Sequence, residues 1–277
     1  MTFLSGAVLS EAPLLKGGEK VLFIGASITA FGNYPEGYIS LIREFLEHKK
    51  VKVEVFPRGI SAQTSREMSK RAAKDLSDSR ADWLVLACGV NDVGLNRSYE
   101  EFTRNYIAIL DAAKKANCKV LLQTLTPHGE DLTKERNDRI RKFNDFIRKC
   151  AVERDYPIAE VYNEMVKLLE VRKGVYGLKV TTDNLHLNGY GNRAFACAVL
   201  RGWQFDEPEI SRAVIRWNKR PGTPPVINNF FRPSWLISLD EYEVLERAAK
   251  REKLSVEQYI KREVLRKVEE LRKVESR

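Results

Sequence analysis

Between Lys20 and about Trp203 the sequence alternates short apolar runs with longer amphipathic stretches. No other feature restricts the fold as strongly. Short apolar runs suit strands of a buried sheet, and the stretches between them suit helices that cross over a parallel sheet and cover it. The candidate strands are KVLFIG (20–25), KVEVF (52–56), DWLVLAC (82–88), KVLLQTL (119–125) and YPIAEV (156–161). Five such strands predict an α/β three-layer sandwich. The helices between them carry their own markers. Ser98 and Glu101 form a capping box ahead of Phe102, Tyr106, Ile109 and Ala113 on one face, and Ile140, Phe143, Ile147 and Cys150 make a similar stripe.

After Trp203 the character changes, which sets the boundary of a first domain at 1–204. Pro208, Pro221, Pro224, Pro225 and Pro233 crowd the next stretch, so residues 205–237 are expected to form an extended arm. Helices return in a tail over 238–277, with capping boxes at Ser238/Glu241 and Ser255/Gln258. Ile260, Val264, Val268, Leu271 and Val274 then recur at three- and four-residue spacing. Such a stripe is not buried by the tail alone, so it should dock on the main domain or on a second copy, making a homodimer the expected assembly.

The chain has 277 residues, with 47 Lys and Arg against 38 Asp and Glu, a formal net charge of +9. The excess is spread along the sequence, which argues against a nucleic-acid footprint. Cys88, Cys118, Cys150 and Cys197 stand apart, each in or beside an apolar run, as buried thiols of a reducing compartment do. The N-terminal stretch lacks the charged start and unbroken apolar run of a secretory signal, and no later window is long and apolar enough for a membrane span. A cytoplasmic location is therefore expected.

The stretch VLFIGASITAFG (21–32) places Gly25, Ala26 and Ser27 directly after the first strand. A glycine turn there serves a phosphate site, a nucleophile or plain structure. The spacing fits neither the dinucleotide fingerprint nor a P-loop, and the neighbours must decide. The third strand ends in ACGVNDVG, which sets Asn91 and Asp92 at the ligand-binding rim of an open α/β sheet. The second ends in FPRGIS and brings the Gly59 N–H to the same rim. Far along the chain, TTDNLHLNGYG sets Asp183 three residues before His186. A serine hydroxyl needs a base within hydrogen-bond reach, and that base needs an acceptor to fix its tautomer. Asp183 and His186 on one turn can meet through the carboxylate and Nδ1, leaving Nε2 for Ser27. The other two histidines fit less well: His48 sits at a helix end, and His128, after the fourth strand, is a candidate for substrate contact, as is Asp92. Each group also has a purely structural use, Ser27 and Asp183 as helix caps and Asn91 with Asp92 in a turn.

Taken in order, GAS (25–27), Gly59, GVND with Asn91, and DNLH with Asp183 and His186 resemble the four blocks of the SGNH, or GDSL-type, hydrolases over about residues 18–203. The resemblance implies a flavodoxin-like fold and an esterase or acylhydrolase that uses no metal or organic cofactor. It implies Ser27 as nucleophile, His186 as base and then acid, and Asp183 as its orienting partner. The implied oxyanion hole is the N–H of Ser27, the N–H of Gly59 and the Asn91 amide. Where the family usually has Gly-Asp-Ser this chain has Gly-Ala-Ser, which removes a carboxylate beside the serine. RGISAQTSREM (58–68) resembles carbohydrate acetylesterases and small-ester hydrolases, which implies an acetylated carbohydrate as substrate, with lysophospholipid or thioester hydrolysis as alternatives. A different expectation is a catalytically weak scaffold acting as a dimeric binding or regulatory protein. The tail, WLISLDEYEVLERAAKREKLSVEQYIKREVLRKVEE, resembles a ribbon-helix-helix module, but its nearly balanced charge offers little to DNA phosphates.

Overall fold

The computed structural model describes residues 12–173, 178–219 and 239–275. Along the chain run β1 (Lys20–Gly25), α1 (Ser27–Gly32), α2 (Tyr38–His48), β2 (Glu54–Gly59), α3 (Ser65–Ser79), β3 (Trp83–Leu86), α4 (Val90–Gly94) and α5 (Tyr99–Lys115). Then follow β4 (Lys119–Gln123), α6 (Glu135–Arg154), β5 (Ile158–Ala159), α7 (Val161–Val171), α8 (Gly189–Gly202), α9 (Glu207–Lys219), α10 (Leu239–Arg251) and α11 (Val256–Glu275). The five strands form one sheet in the order β2-β1-β3-β4-β5, and every pairing is parallel. This is the flavodoxin-like order, with its crevice at the carboxyl ends of the strands.

The two-residue period of the strands divides the interior into two cores. Val21, Phe23, Trp83, Val85 and Leu121 face one side, where they meet α2, α8 and α9. Leu22, Ile24, Leu84, Leu86, Val120 and Leu122 face the other, against α3, α5 and α6. Helices therefore cover both faces, giving the three layers. All four cysteines are buried and unbridged. Among the described residues no helix is long and apolar enough to cross a membrane.

The strands β3, β4 and β5 are shorter than the expected 82–88, 119–125 and 156–161, and Val161 begins α7. Two other elements depart further. The second strand begins and ends later than 52–56, running through Pro57 to Gly59. Glu54 and Ile60 donate to Glu19 and Gly25 of the neighbouring chain segment, so even-numbered residues of β2 face β1. Pro57 falls on the outward set of this edge strand, where a missing N–H breaks no ladder bond.

The second correction is larger. Residues 207–219 are not an extended arm but helix α9, with Ile210, Ala213 and Trp217 fully buried. Pro208 occupies its first turn, where no helical N–H is needed, and the Trp217 indole donates to Glu44. The remaining prolines of the expected arm lie outside the described residues.

The chain divides into two compact units, Met1–Phe231 and Arg232–Arg277. The smaller is built on α10 and α11. Ser255 and Gln258 exchange the two capping-box bonds at the head of α11, whereas Ser238 and the strand of the ribbon-helix-helix resemblance lie outside the described residues. The stripe on α11 is open, with Val264 45%, Leu271 52% and Val274 71% exposed.

Candidate active site

β1 delivers its last residue, Gly25, into a turn that only glycine permits, because a Cβ there would lie 2.0 Å from the Thr29 hydroxyl. Ala26 follows, 5% exposed within the core shared with Leu22, Ile24 and Met68. Ser27 then opens α1 and is itself 8% exposed. The first helical bond runs from Ala30 N–H to Ala26 C=O, so the Ser27 N–H precedes the ladder and has no intrahelical partner.

A small hairpin approaches the serine from far along the chain. Thr181 and Leu187 form an antiparallel bridge, Thr182 N–H donates to His186 C=O at 2.8 Å, and Asn184 turns the tip at φ 68°. Asp183 Oδ1 accepts from the N–H of Leu185 at 3.0 Å and of His186 at 2.7 Å. Its other oxygen lies 2.6 Å from His186 Nδ1, and His186 Nε2 lies 2.9 Å from Ser27 Oγ. Desolvation pushes the Asp183 carboxyl up, but the hydrogen bonds from the His186 ring and the two N–H groups outweigh it and hold the carboxyl below its ordinary range.

Glu130 fixes the base of this hairpin. Its carboxylate accepts from the N–H of Lys179, Val180 and Thr181 at 2.7, 2.7 and 2.8 Å, and from the Thr181 hydroxyl at 2.8 Å. From the other side, the Asn192 amide donates to Leu187 C=O and accepts from the N–H of Tyr38. Sequence reasoning missed Glu130, since nothing local marks a carboxylate that serves backbone some fifty residues away.

At the rim beyond β2 and β3, Gly59 and Asp92 each have a structural part. Gly59 lies opposite Gly25 in the ladder, and a Cβ there would meet Ala30 N at 2.1 Å. Its glycine is needed for the close approach of α1. Being odd-numbered, it lies in the set of β2 residues whose N–H groups point away from β1. Asp92 is buried in α4, two residues past Val90. It is 1% exposed, and its oxygens accept from the Ser65 N–H at 2.9 Å and hydroxyl at 2.6 Å, so it ties α3 to α4. Burial raises its pKa, against the opposing pull of the Ser65 bonds.

Asn91 donates one amide hydrogen to Gln63 C=O at 2.9 Å, which leaves its second N–H available. The preceding residue, Ala62, is exposed and sits in the left-handed region at φ 65°, a conformation that disfavours a side chain. Sequence patterning gave no sign of it. His128 packs near Gly94 of α4, its N–H on Asn137, and burial followed by the charge of Arg136 lowers its pKa. His48 is exposed at the end of α2. Among the described residues no group of three or more His, Cys, Asp or Glu is arranged to hold a metal ion. A groove of about 890 Å³ between α3 and α5, lined by Leu76, Asp82, Lys115 and Asn117 among others, opens at the opposite end of the strands and shares no residue with this site.

A family model of the GDSL-like lipase/acylhydrolase family matches residues 23–194. The chain belongs to that family. An acetylxylan esterase from Geobacillus stearothermophilus is 26% identical over 217 residues, covering 68% of this chain and 95% of the relative. The crystal structure of an acetylxylan esterase from the same organism superposes with a TM-score of 0.63 at 21% identity, covering 70% of this chain and 97% of that one. A further acetyl xylan esterase structure reaches 30% identity and a TM-score of 0.60, covering 65% and 97%. This GDSL-like hydrolase, an enzyme of ester bonds, thus carries the family fold with an additional C-terminal unit. Its departure at Ala26 leaves the Ser27–His186–Asp183 hydrogen bonds complete, because their carboxylate comes from the hairpin.

Proposed function

We propose that the protein is a serine esterase that removes small acyl groups, acetyl foremost, from acetylated carbohydrates. The observation that carries the chemistry is the continuous hydrogen-bond chain Ser27 Oγ, His186 Nε2, His186 Nδ1, Asp183 Oδ2. His186 accepts the serine proton as Oγ attacks the ester carbonyl, then returns that proton to the alcohol oxygen as the C–O bond breaks. Water repeats the sequence on the acyl-serine and releases the acid. Asp183 keeps the ring in the tautomer that exposes Nε2 and stabilises the imidazolium. For the oxyanion we assign the Ser27 N–H, the free amide hydrogen of Asn91 and the N–H of Ala62, in place of that of Gly59.

Preference for an acetyl group is supported by the acetylxylan esterases to which the chain is similar. The acetylxylan esterases among the relatives support the carbohydrate. We further propose that the α11 stripe pairs with a second copy and that the enzyme works in the cytoplasm.

The test is turnover of p-nitrophenyl acetate with fluorophosphonate labelling. Wild type should hydrolyse the ester and carry the label on Ser27, and Ser27→Ala should lose activity by about 10⁶-fold. Equal activity in the variant, or a label elsewhere, overturns the assignment. Over an acyl series, acetate should be cleaved fastest and hexanoate barely at all.

A further inference from the structure

Resting on the esterase reading above, we propose that Phe31 and Tyr34 form a stacking platform for the sugar ring that carries the departing alcohol. Phe31, in α1, packs against the His186 ring with centroids 5.0 Å apart and planes at 62°. Tyr34 stacks on Phe31 at 5.8 Å and 24° and leaves 46% of its surface exposed. Two aromatic rings thus extend outward from the base that serves Ser27.

The position follows from the chemistry. When His186 gives its proton to the leaving oxygen, that oxygen must lie about 3 Å from Nε2. The ring bearing the oxygen is then held beside whatever packs on the imidazole, first Phe31 and beyond it Tyr34. Pyranose rings present rows of polarised C–H bonds to which the negative face of an aromatic ring is complementary. A hydroxyl on the aromatic edge also suits a ligand that is apolar on one face and wet on its rim.

The loop holding Tyr34 is fixed in advance. Tyr34 N–H donates to Phe31 C=O at 3.0 Å and Gly37 N–H to Tyr34 C=O at 2.9 Å. Arg43 and Ser40 of α2 bind the side chain and carbonyl of Asn33 at 2.6 and 3.1 Å, and Glu36, 8% exposed, faces Arg193 at 3.6 Å. A rigid loop that presents an exposed aromatic has little ordering left to do when a ligand arrives.

The experiment compares an acetylated xylo-oligosaccharide with methyl acetate, which has no ring to stack. Wild type, Tyr34→Ala and Tyr34→Phe are assayed on both, with Phe31→Leu as a second probe. Tyr34→Ala should raise KM for the sugar ester roughly three- to tenfold, leave methyl acetate unchanged, and be rescued by Tyr34→Phe. Phe31→Leu should act in the same direction. Wild type that favours the sugar ester, with a Tyr34→Ala variant that keeps its KM, overturns the platform and leaves the substrate assignment standing. Wild type that handles the sugar ester no better than methyl acetate overturns the carbohydrate reading and the platform with it.

Discussion

Ala62 is one of several residues with a Cβ held at a positive φ, and it sits beside the site. A left-handed backbone is disfavoured by roughly 1–2 kcal/mol for a residue with a Cβ, yet the neighbouring Gln63 carbonyl is held by Asn91. Strain retained at such a place is an expected companion of a functional N–H. Ala62→Gly should stabilise the fold by about 1 kcal/mol, read as a rise in Tm of roughly 2–4 °C, with the site's hydrogen bonds intact. Asn91→Ala should lower kcat by about 10²- to 10³-fold in a steady-state assay, since it removes both the free amide hydrogen and the tether to Gln63. Asp92 makes a prediction about pH. Its folded-state pKa is raised by burial, so the native state holds this proton more tightly than the unfolded chain. Its stabilising contribution is complete below the ordinary carboxyl value, near 4, and declines as pH rises through the folded-state pKa. Thermal melts across the acid range should therefore show wild type losing stability relative to Asp92→Asn as pH increases.

At the level of elements, the sheet and its covering helices were legible because burial dictates pattern: Val21 to Ile24 alternate between two cores, and both cores must be apolar. The meeting of Ser27, Asp183 and His186 was legible because the chain has only three histidines and His186 follows an aspartate by three residues in one turn. What escaped sequence reading was set by geometry across the chain. The N–H direction of Gly59 depends on the register of β2, and Glu130 reaches a hairpin that begins nearly fifty residues later. α9 was hidden by the proline count around it, although Ile210, Ala213 and Trp217 keep helical spacing. Trp217→Ala should cost about 3–5 kcal/mol in chemical denaturation, a value that a residue on an extended surface arm would not approach.

For the molecule as a whole, the two units make separate predictions. Removal of residues 238–277 should leave ester hydrolysis intact, and light scattering of both forms should show a dimer only when α11 is present. Within the larger unit, stability is unevenly distributed. Strands such as β1 and β3 are buried on both faces, whereas the hairpin of Asp183 and His186 owes its shape to a short bridge, the Asn192 amide and the four bonds to Glu130. Such a segment opens at a lower free energy than the sheet. In rising urea, activity should vanish while the far-ultraviolet circular dichroism still reports a folded sheet, and Glu130→Gln should widen the interval between the two midpoints. The enzyme would then have a working range narrower than its folded range, with the difference set by one carboxylate.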